Sequence, residues 1–367
     1  MTQPTRVVLL FGGRSAEHEV SILSARSVAN AAPKERIALT PVCIARDGRF
    51  VAPERSARIL AGEEKSVAGD ADFSFEAWAR GTELDLIFPL IHGTGGEDGA
   101  LQGYLEILGL PYAGSGVTAS AVAMDKVHMK QAFAAAKLPM VDFVPVQEHD
   151  WKNERERVVR AVTNALRLPY FVKPANAGSS VGVTKVKNDA DLSKAMEHAL
   201  RFDEKVLIER GVDAREIEVS VLGNETPQAS VPGEIVVGRD FYDYTDKYVE
   251  NKSSLVIPAK LASDKTAEIQ RMAIAAFKAV GASGFSRVDF FLERGTNRLY
   301  VNEINTIPGF TNISMYPKLW EASELRYGRL IERLIQLGIE RSKARAARAE
   351  STMRWFDEVT SIADVSS

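Results

Sequence analysis

The stretch Ser286–Gly309 reads SRVDFFLERGTNRLYVNEINTIPG. Val288, Phe290 and Leu292 alternate with Arg287, Asp289 and Phe291, the two-residue period of a half-buried strand. Leu299, Val301 and Ile304 mark a second apolar strand that also carries Asn302, Glu303 and Asn305. A three-residue loop, Gly295-Thr296-Asn297, would join the two as a hairpin. That register sets Asp289 opposite Glu303 and Arg287 opposite Asn305, all on one face. Facing carboxylates repel across a strand pair. A divalent cation removes the repulsion. Two carboxylates and an amide carbonyl are hard oxygen donors of the kind Mg²⁺ takes beside substrate phosphates. The same spacing suits a salt-bridged surface hairpin in which Arg287 serves both acids, and the hairpin alone leaves both readings open.

Working outward, a chain of 367 residues has room for two or three domains with an ample core. Its 45% apolar and 26% charged content is that of a soluble globular protein. A net charge of −3 offers no general electrostatic case for nucleic-acid binding. Cys43 is the single cysteine, which excludes an internal disulfide and a zinc–thiolate cluster. The opening MTQPTRVVLLFGG lacks the layout of a signal peptide, and no apolar run approaches the ~18 residues of a membrane span. The expected setting is the cytoplasm, with no membrane partner.

Arg6–Phe11 reads as an apolar strand, followed by Gly12-Gly13 and a helix from about Ala16 to Ala32 with Ser15 as N-cap. Strand, glycine turn and helix open a doubly wound α/β domain, but GxGxxG is absent, so no dinucleotide fingerprint is present. Glu17 either complements the helix dipole or reaches a cleft at the strand ends to hold a ligand ammonium. Ala38–Ala45 is a second strand, and residues 52–75 read as a polar surface insertion. Leu84–Leu90 is a buried strand that runs into HGTGGEDG, a loop carrying His92, Glu97 and Asp98. A helix over about Ala100–Leu108 follows.

A second unit begins near Met124, with Asp125 capping a helix to about Lys137. Lys126 in its first turn opposes the dipole, a conflict that a bound phosphate or a local acid would resolve. The strands Pro169–Lys173 and Val181–Val186 flank PANAGSSVG, which offers the backbone N–H groups and hydroxyls of a phosphate clamp without being a Walker A loop. Val206–Glu209 and Glu216–Leu222 are strands joined by Arg210-Gly211-Val212. That linker has free backbone groups for an adenine edge, or is an ordinary connector. Gly238–Pro258 is long and aromatic, as a lid would be. Thr266–Val280 and Ser323–Leu337 read as helices, and the basic tail Glu340–Arg348 as a solvated helical extension.

In this order, GGRSAEHEVS, HGTGGEDG, GSGVTASAVAMDK, KPANAGSSVGV, FYDYTDKY and RVDFFL…NEINTIPGFT resemble the D-alanine–D-alanine ligases of the ATP-grasp superfamily. The resemblance runs from about Val7 to about Leu337 and leaves out residues 52–75 and the basic tail. It implies an α/β fold of three domains, with ATP between two antiparallel sheets. These are an N-terminal doubly wound α/β substrate domain over 1–122, a central domain over 123–212 and a C-terminal domain over 213–340, with a helical or flexible tail over 341–367. It implies ATP and two Mg²⁺ ions, with Mn²⁺ as a substitute, held by Asp289, Glu303 and Asn305. Lys126 and Lys173 would contact the ATP phosphates beneath the Ser179-Ser180 loop. Glu209 and the backbone of Gly211 and Val212 would hold adenine, Glu216 the ribose, and Lys247 would sit on the lid.

On the substrate side, the resemblance gives Glu17 the ammonium of the first D-alanine and a hydrogen-bonded triad with Ser179 and Tyr248. His92 and Asp98 join that side. Arg287 and the Gly309 N–H would form the oxyanion hole, and Ser314 and Met315 would flank the second D-alanine. A homodimer is implied. Gly211 stands where a bulkier residue is frequent in the family, and Met315 where leucine is usual. The alternatives are another ATP-grasp carboxylate–amine ligase with different amino acids, and a nucleotide-binding regulator without turnover. The intact set of acids, lysines and Arg287 argues against the regulator.

Overall fold

The computed structural model of the chain describes residues 3–236 and 254–365, with side chains described to residue 360. Three sheets organise it. The first runs Phe50–Val51, Ile37–Ile44, Thr5–Gly12, Leu86–Pro89 in spatial order. Thr5–Gly12 pairs in parallel with both of its neighbours. A central parallel strand must be covered on both faces. Val7, Leu9 and Phe11 pack under the helices His18–Ala31 and Tyr327–Val365. Val8 and Leu10 pack under Phe75–Gly81 and Ala100–Ile107. This is the doubly wound layer expected of the N-terminal part.

The second sheet is antiparallel, in the order Phe143–Gln147, Lys205–Arg210, Tyr170–Pro174, Thr184–Val186. The third is also antiparallel, running Ser254–Val256, Gly233–Val236, Ala214–Gly223, Gly284–Glu293, Leu299–Asn305, with Gln228–Ala229 also paired to Ala214–Gly223. The hairpin register is the expected one at the acids: Asp289 pairs with Glu303 and Arg287 with Asn305. It is reached differently. Leu292 pairs with Leu299 and Glu293 N donates to Arg298 O, so the turn spans four residues, Arg294 to Asn297. An irregularity at Asn302 then takes up the extra residue.

Several expectations are corrected. Residues 52–75 are not a polar surface insertion. Pro53–Ala61 is a helix whose Ile59 enters the first core, while Ser56 Oγ accepts from Cys43 N and donates to Val51 O, both at 2.9 Å. Arg55 ties the following loop down through Glu64 and through Asp70 at 2.5 Å. Ser15 is not the N-cap of His18–Ala31, which Glu17 occupies. Its hydroxyl instead donates to His92 O at 2.7 Å and accepts from Glu17 N.

A helix over Val117–Met124 was not foreseen. The Lys126–Ala135 helix, capped by Asp125 as expected, buries Met129 and Phe133 with the third sheet's core. That helix therefore does not join the core of Val146, Tyr170 and Ile208 under the second sheet. Nor does the last helix stop at Leu337. It begins at Tyr327, gives Leu330, Ile331, Leu334 and Ile335 to the first sheet, and continues to Val365. No helix among the described residues is long and apolar enough to cross a membrane.

Candidate active site

A cavity of about 1120 Å³ is walled by the second and third sheets and by loops of the first. Most of the expected site residues line it: Glu17, His92, Lys126, Lys173, Ser179, Ser180, Glu209, Gly211, Val212, Glu216, Arg287, Asp289, Glu303, Asn305, Gly309, Ser314 and Met315. Lys247 and Tyr248, with most of the Gly238–Pro258 stretch, lie outside the described residues.

On the wall that carries the expected metal ligands, Arg287 forks onto Asp289, with Nε 2.7 Å from Oδ1 and Nη2 2.6 Å from Oδ2. Arg287 Nε also stands 3.0 Å from Glu218 Oε2, and Asn305 Nδ2 donates to Asp289 Oδ2 at 3.1 Å. Arg287 does serve acids, as the salt-bridged reading of the hairpin has it, but the face is the wall of a cavity rather than open surface. Among the described residues no three His, Cys, Asp or Glu side chains gather as a metal cluster. The donor set is two carboxylates and one amide, hard oxygen chemistry that fits Mg²⁺.

The side of the cavity lined by Lys126 and Lys173 is cationic. Lys126 Nζ donates to Ala177 O at 2.6 Å, which draws its helix N-terminus to the serine loop. In that loop Ser179 and Ser180 both adopt left-handed backbone, φ 49° and 59°, uncommon for residues with a Cβ and frequent where a loop must present its N–H groups. Ser179 Oγ donates to Glu17 Oε1, so the serine loop closes onto the first domain. Gly178 makes the approach possible, since a Cβ there would stand 2.9 Å from Glu17 Oε2.

Glu209 is fully enclosed and bound from two sides, by Lys130 Nζ at 2.5 Å and by Lys173. Burial pushes its carboxyl up, but the two ammonium groups outweigh burial and hold it at about 2. Lys130, 1% exposed, was missed in the sequence. It lies one helical turn past Lys126, where a lysine reads as solvated. Gly211 N donates to Pro169 O at 2.8 Å, so that amide is already used, while Val212 borders the cavity.

A second set of contacts fixes the loop that carries Gly309. His92 Nδ1 donates to Ile307 O at 2.9 Å, and its Nε2 accepts from Ser24 Oγ at 2.9 Å. Burial pushes the His92 pKa down, which keeps this neutral tautomer. Ser24 Oγ accepts from Phe310 N, and Glu97 accepts from Ile307 N at 2.9 Å and from Gly93 N at 2.8 Å. Burial first, and the Glu17 charge second, push the Glu97 carboxyl up to about 8. Glu97 lines the cavity, whereas Asp98 does not. Its carboxylate braces Gly95 N and Ala100 N at the start of the next helix. A Cβ at Gly309 would sit 2.7 Å from Ser314 Oγ, so a side chain there would have to displace that hydroxyl.

Two family models match the chain. One described as the D-ala D-ala ligase N-terminus covers residues 6–115, and one described as the D-ala D-ala ligase C-terminus covers residues 132–336. A curated D-alanine–D-alanine ligase of Halothermothrix orenii is 46% identical over 91% of this chain and 98% of its own length. One from Listeria innocua is 45% identical over 94% and 98%. Among solved structures, the D-alanine-D-alanine ligase from Coxiella burnetii superposes with a TM-score of 0.79 at 36% identity, over 96% of this chain and 99% of that one. The VanG D-Ala:D-Ser ligase from Enterococcus faecalis gives 0.79 at 31% identity, over 92% and 100%. With sheets, loops and cavity residues in this arrangement, the chain belongs to the D-alanine–D-alanine ligase family.

Proposed function

We propose that this protein joins two molecules of D-alanine to D-alanyl-D-alanine, with ATP as co-substrate, for peptidoglycan precursor synthesis. The observation that carries the reading is the convergence in one cavity of Arg287, Asp289 and Glu303 on one wall with Lys126, Lys173 and the Ser179-Ser180 loop. A carboxylate is a poor acyl donor. The carboxylate of the first D-alanine attacks the γ-phosphorus in line, ADP leaves, and an acyl phosphate results. Glu17 holds its ammonium, and Lys126 and Lys173 offset the phosphate charge. Glu209 and the Gly211–Val212 backbone face adenine, and Glu216 the ribose.

The second D-alanine, seated by Ser314 and Met315, loses an ammonium proton, and its amine attacks the acyl carbon. Arg287 and the Gly309 N–H stabilise the tetrahedral oxyanion before phosphate leaves. Asp289, Glu303 and Asn305 would hold Mg²⁺, two ions by family resemblance, with Mn²⁺ accepted by the same hard donors. When bound, the metal neutralises charge on the transferred phosphoryl group. Tyr248 and Lys247 act from the lid, Tyr248 with Ser179 and Glu17, keeping water from the acyl phosphate. The protein works in the cytoplasm as a homodimer.

The test is ADP release, with mass spectrometry of products, for D-alanine alone and mixed with D-serine or D-lactate between about pH 6 and 8. A phenol at Tyr248 supplies a hydrogen bond without positive charge, since its pKa is near ~10 when unperturbed. D-alanyl-D-alanine is therefore expected to predominate. A mixed dipeptide or a depsipeptide as the main product would overturn the acceptor assignment.

A further inference from the structure

The two ammonium groups that flank the buried carboxylate of Glu209 are not equivalent. Lys173 stands against Oε2, lines the cavity and keeps 13% of its side chain exposed. Lys130 stands 2.5 Å from Oε1, is 1% exposed and does not line the cavity. It comes from the inward face of the helix Lys126–Ala135, beside Val127, Met129 and Phe133. Its Nζ lies 5.4 Å from the centre of the Phe143 ring, and Phe143 is a strand partner of Glu209. Burial works against both charges of the pair and draws the Lys130 pKa down, while the Glu209 charge opposes that pull. Well-packed apolar residues in place of a buried ion pair are often no less stable, so packing alone does not account for a lysine here.

We propose that Lys130 is the lasting counter-ion of Glu209, and that it sets the choice of nucleotide base by keeping this carboxylate a pure hydrogen-bond acceptor while Lys173 turns to the phosphates. The inference rests on the reading that Glu209 faces adenine and Lys173 the phosphates. An ionised carboxylate only accepts, so it takes an N–H of the adenine amino group. A 6-keto purine presents a carbonyl oxygen at that place, and two acceptors repel. Once Lys173 leaves Oε2, a carboxylate this deeply buried and without a second cation would take up a proton. A protonated carboxyl donates as well as accepts, and would then receive a 6-keto purine too. Lys130 prevents this without touching the nucleotide. It is a positioning residue that acts through Glu209.

The experiment compares ATP with inosine triphosphate, whose base carries a carbonyl where adenine has its amino group. The readout is the ratio of kcat/KM for release of the two nucleoside diphosphates, at saturating D-alanine and pH 7. A ratio taken within one variant does not depend on how much of that variant is folded. Wild type should prefer ATP. Lys130→Met should lower the preference by about tenfold or more, and so should Lys130→Gln, which keeps a donor but no charge. Glu209→Gln should lower it as well, and adding Lys130→Met to Glu209→Gln should change it no further. If the Lys130 variants keep the wild-type preference while Glu209→Gln loses it, Lys130 has no such role and the adenine reading stands. An unchanged preference in Glu209→Gln would overturn the adenine reading and the inference with it. A further loss in the double variant would show that Lys130 acts by a route other than Glu209, and would also overturn the proposal.

Discussion

Glu209 is the carboxylate that ties Lys130 and Lys173 together at the wall of the cavity. It is buried, acidic and charged only because Lys130 and Lys173 flank it. Removing one partner of a buried ion pair leaves a charge without compensation. We expect Lys130→Met to cost about 3 kcal/mol in urea unfolding at pH 7, the lower end of the range because Lys173 remains. The folded pKa of Glu209 is depressed to about 2, so its contribution is present above the unfolded carboxyl pKa and is lost as pH falls toward 2. The variant should accordingly lose part of its stability gradient between about pH 4.5 and 2. An unfolding curve matching wild type at both pH 7 and pH 3 would remove Lys130 from this role.

Arg287 offers a second test at this scale. Replacement by alanine would take a cationic partner from both Asp289 and Glu218, so lysine is the cleaner probe. It keeps the charge and loses the planar fork. Arg287→Lys should lower kcat by about 10²-fold with little change in the KM for ATP, because the lost interaction belongs to the developing oxyanion. Glu303→Gln should keep the fold and lose most Mg²⁺-dependent turnover. Near wild-type ligation at ordinary Mg²⁺ would exclude Glu303 as a ligand.

At the scale of elements, Glu97 joins the glycine-rich loop to the end of the Leu299–Asn305 strand through two backbone N–H groups. Its folded pKa, about 8, lies above its unfolded value. The folded state therefore retains a proton that the unfolded state has lost, and stability falls as pH rises from about 4.5 to 8. Glu97→Gln should flatten that slope. Unfolding free energies at pH 5 and 8.5 give the comparison, and an unchanged slope would show that Glu97 is ionised throughout. Its neighbour Asp98 was the sequence expectation, and the two acids cannot be told apart from spacing in a loop. Strand periodicity is more informative. Alternation together with an expected three-residue loop puts Asp289 opposite Glu303, although the four-residue turn and the irregularity at Asn302 each displaced the register and cancelled. The Val117–Met124 helix carries no charged residue and no side-chain cap, so nothing in its local sequence marked its ends.

Across the whole molecule, the doubly wound N-terminal layer was legible because buried strands and amphipathic helices have distinct periods. The partition of the core was not. Which helix covers which sheet is decided by long-range packing, and Lys126–Ala135 and Tyr327–Val365 both pack on a sheet distant in sequence. Leu334, fully buried, belongs to the first sheet's core. Leu334→Ala should cost about 2–5 kcal/mol and expose protease sites in the N-terminal layer rather than in the second sheet. Limited proteolysis with fragment mapping would read this, and cleavage confined to residues 140–210 would contradict it.

The same packing has a consequence for biosynthesis. The strand Leu86–Pro89 completes the first sheet early, but the helix that covers Leu9, Phe11 and Val28 from the far side begins only at Tyr327. At ~5–20 residues per second, a ribosome needs roughly 10–50 s to cross that interval. During it the nascent chain holds a sheet with one apolar face covered only by His18–Ala31, its remainder open to holdase chaperones and to neighbouring polypeptides on the same message. The last helix to emerge is thus the one that seals the first layer to form, and a message cut short before it yields a product whose oldest strands stay partly uncovered on one face.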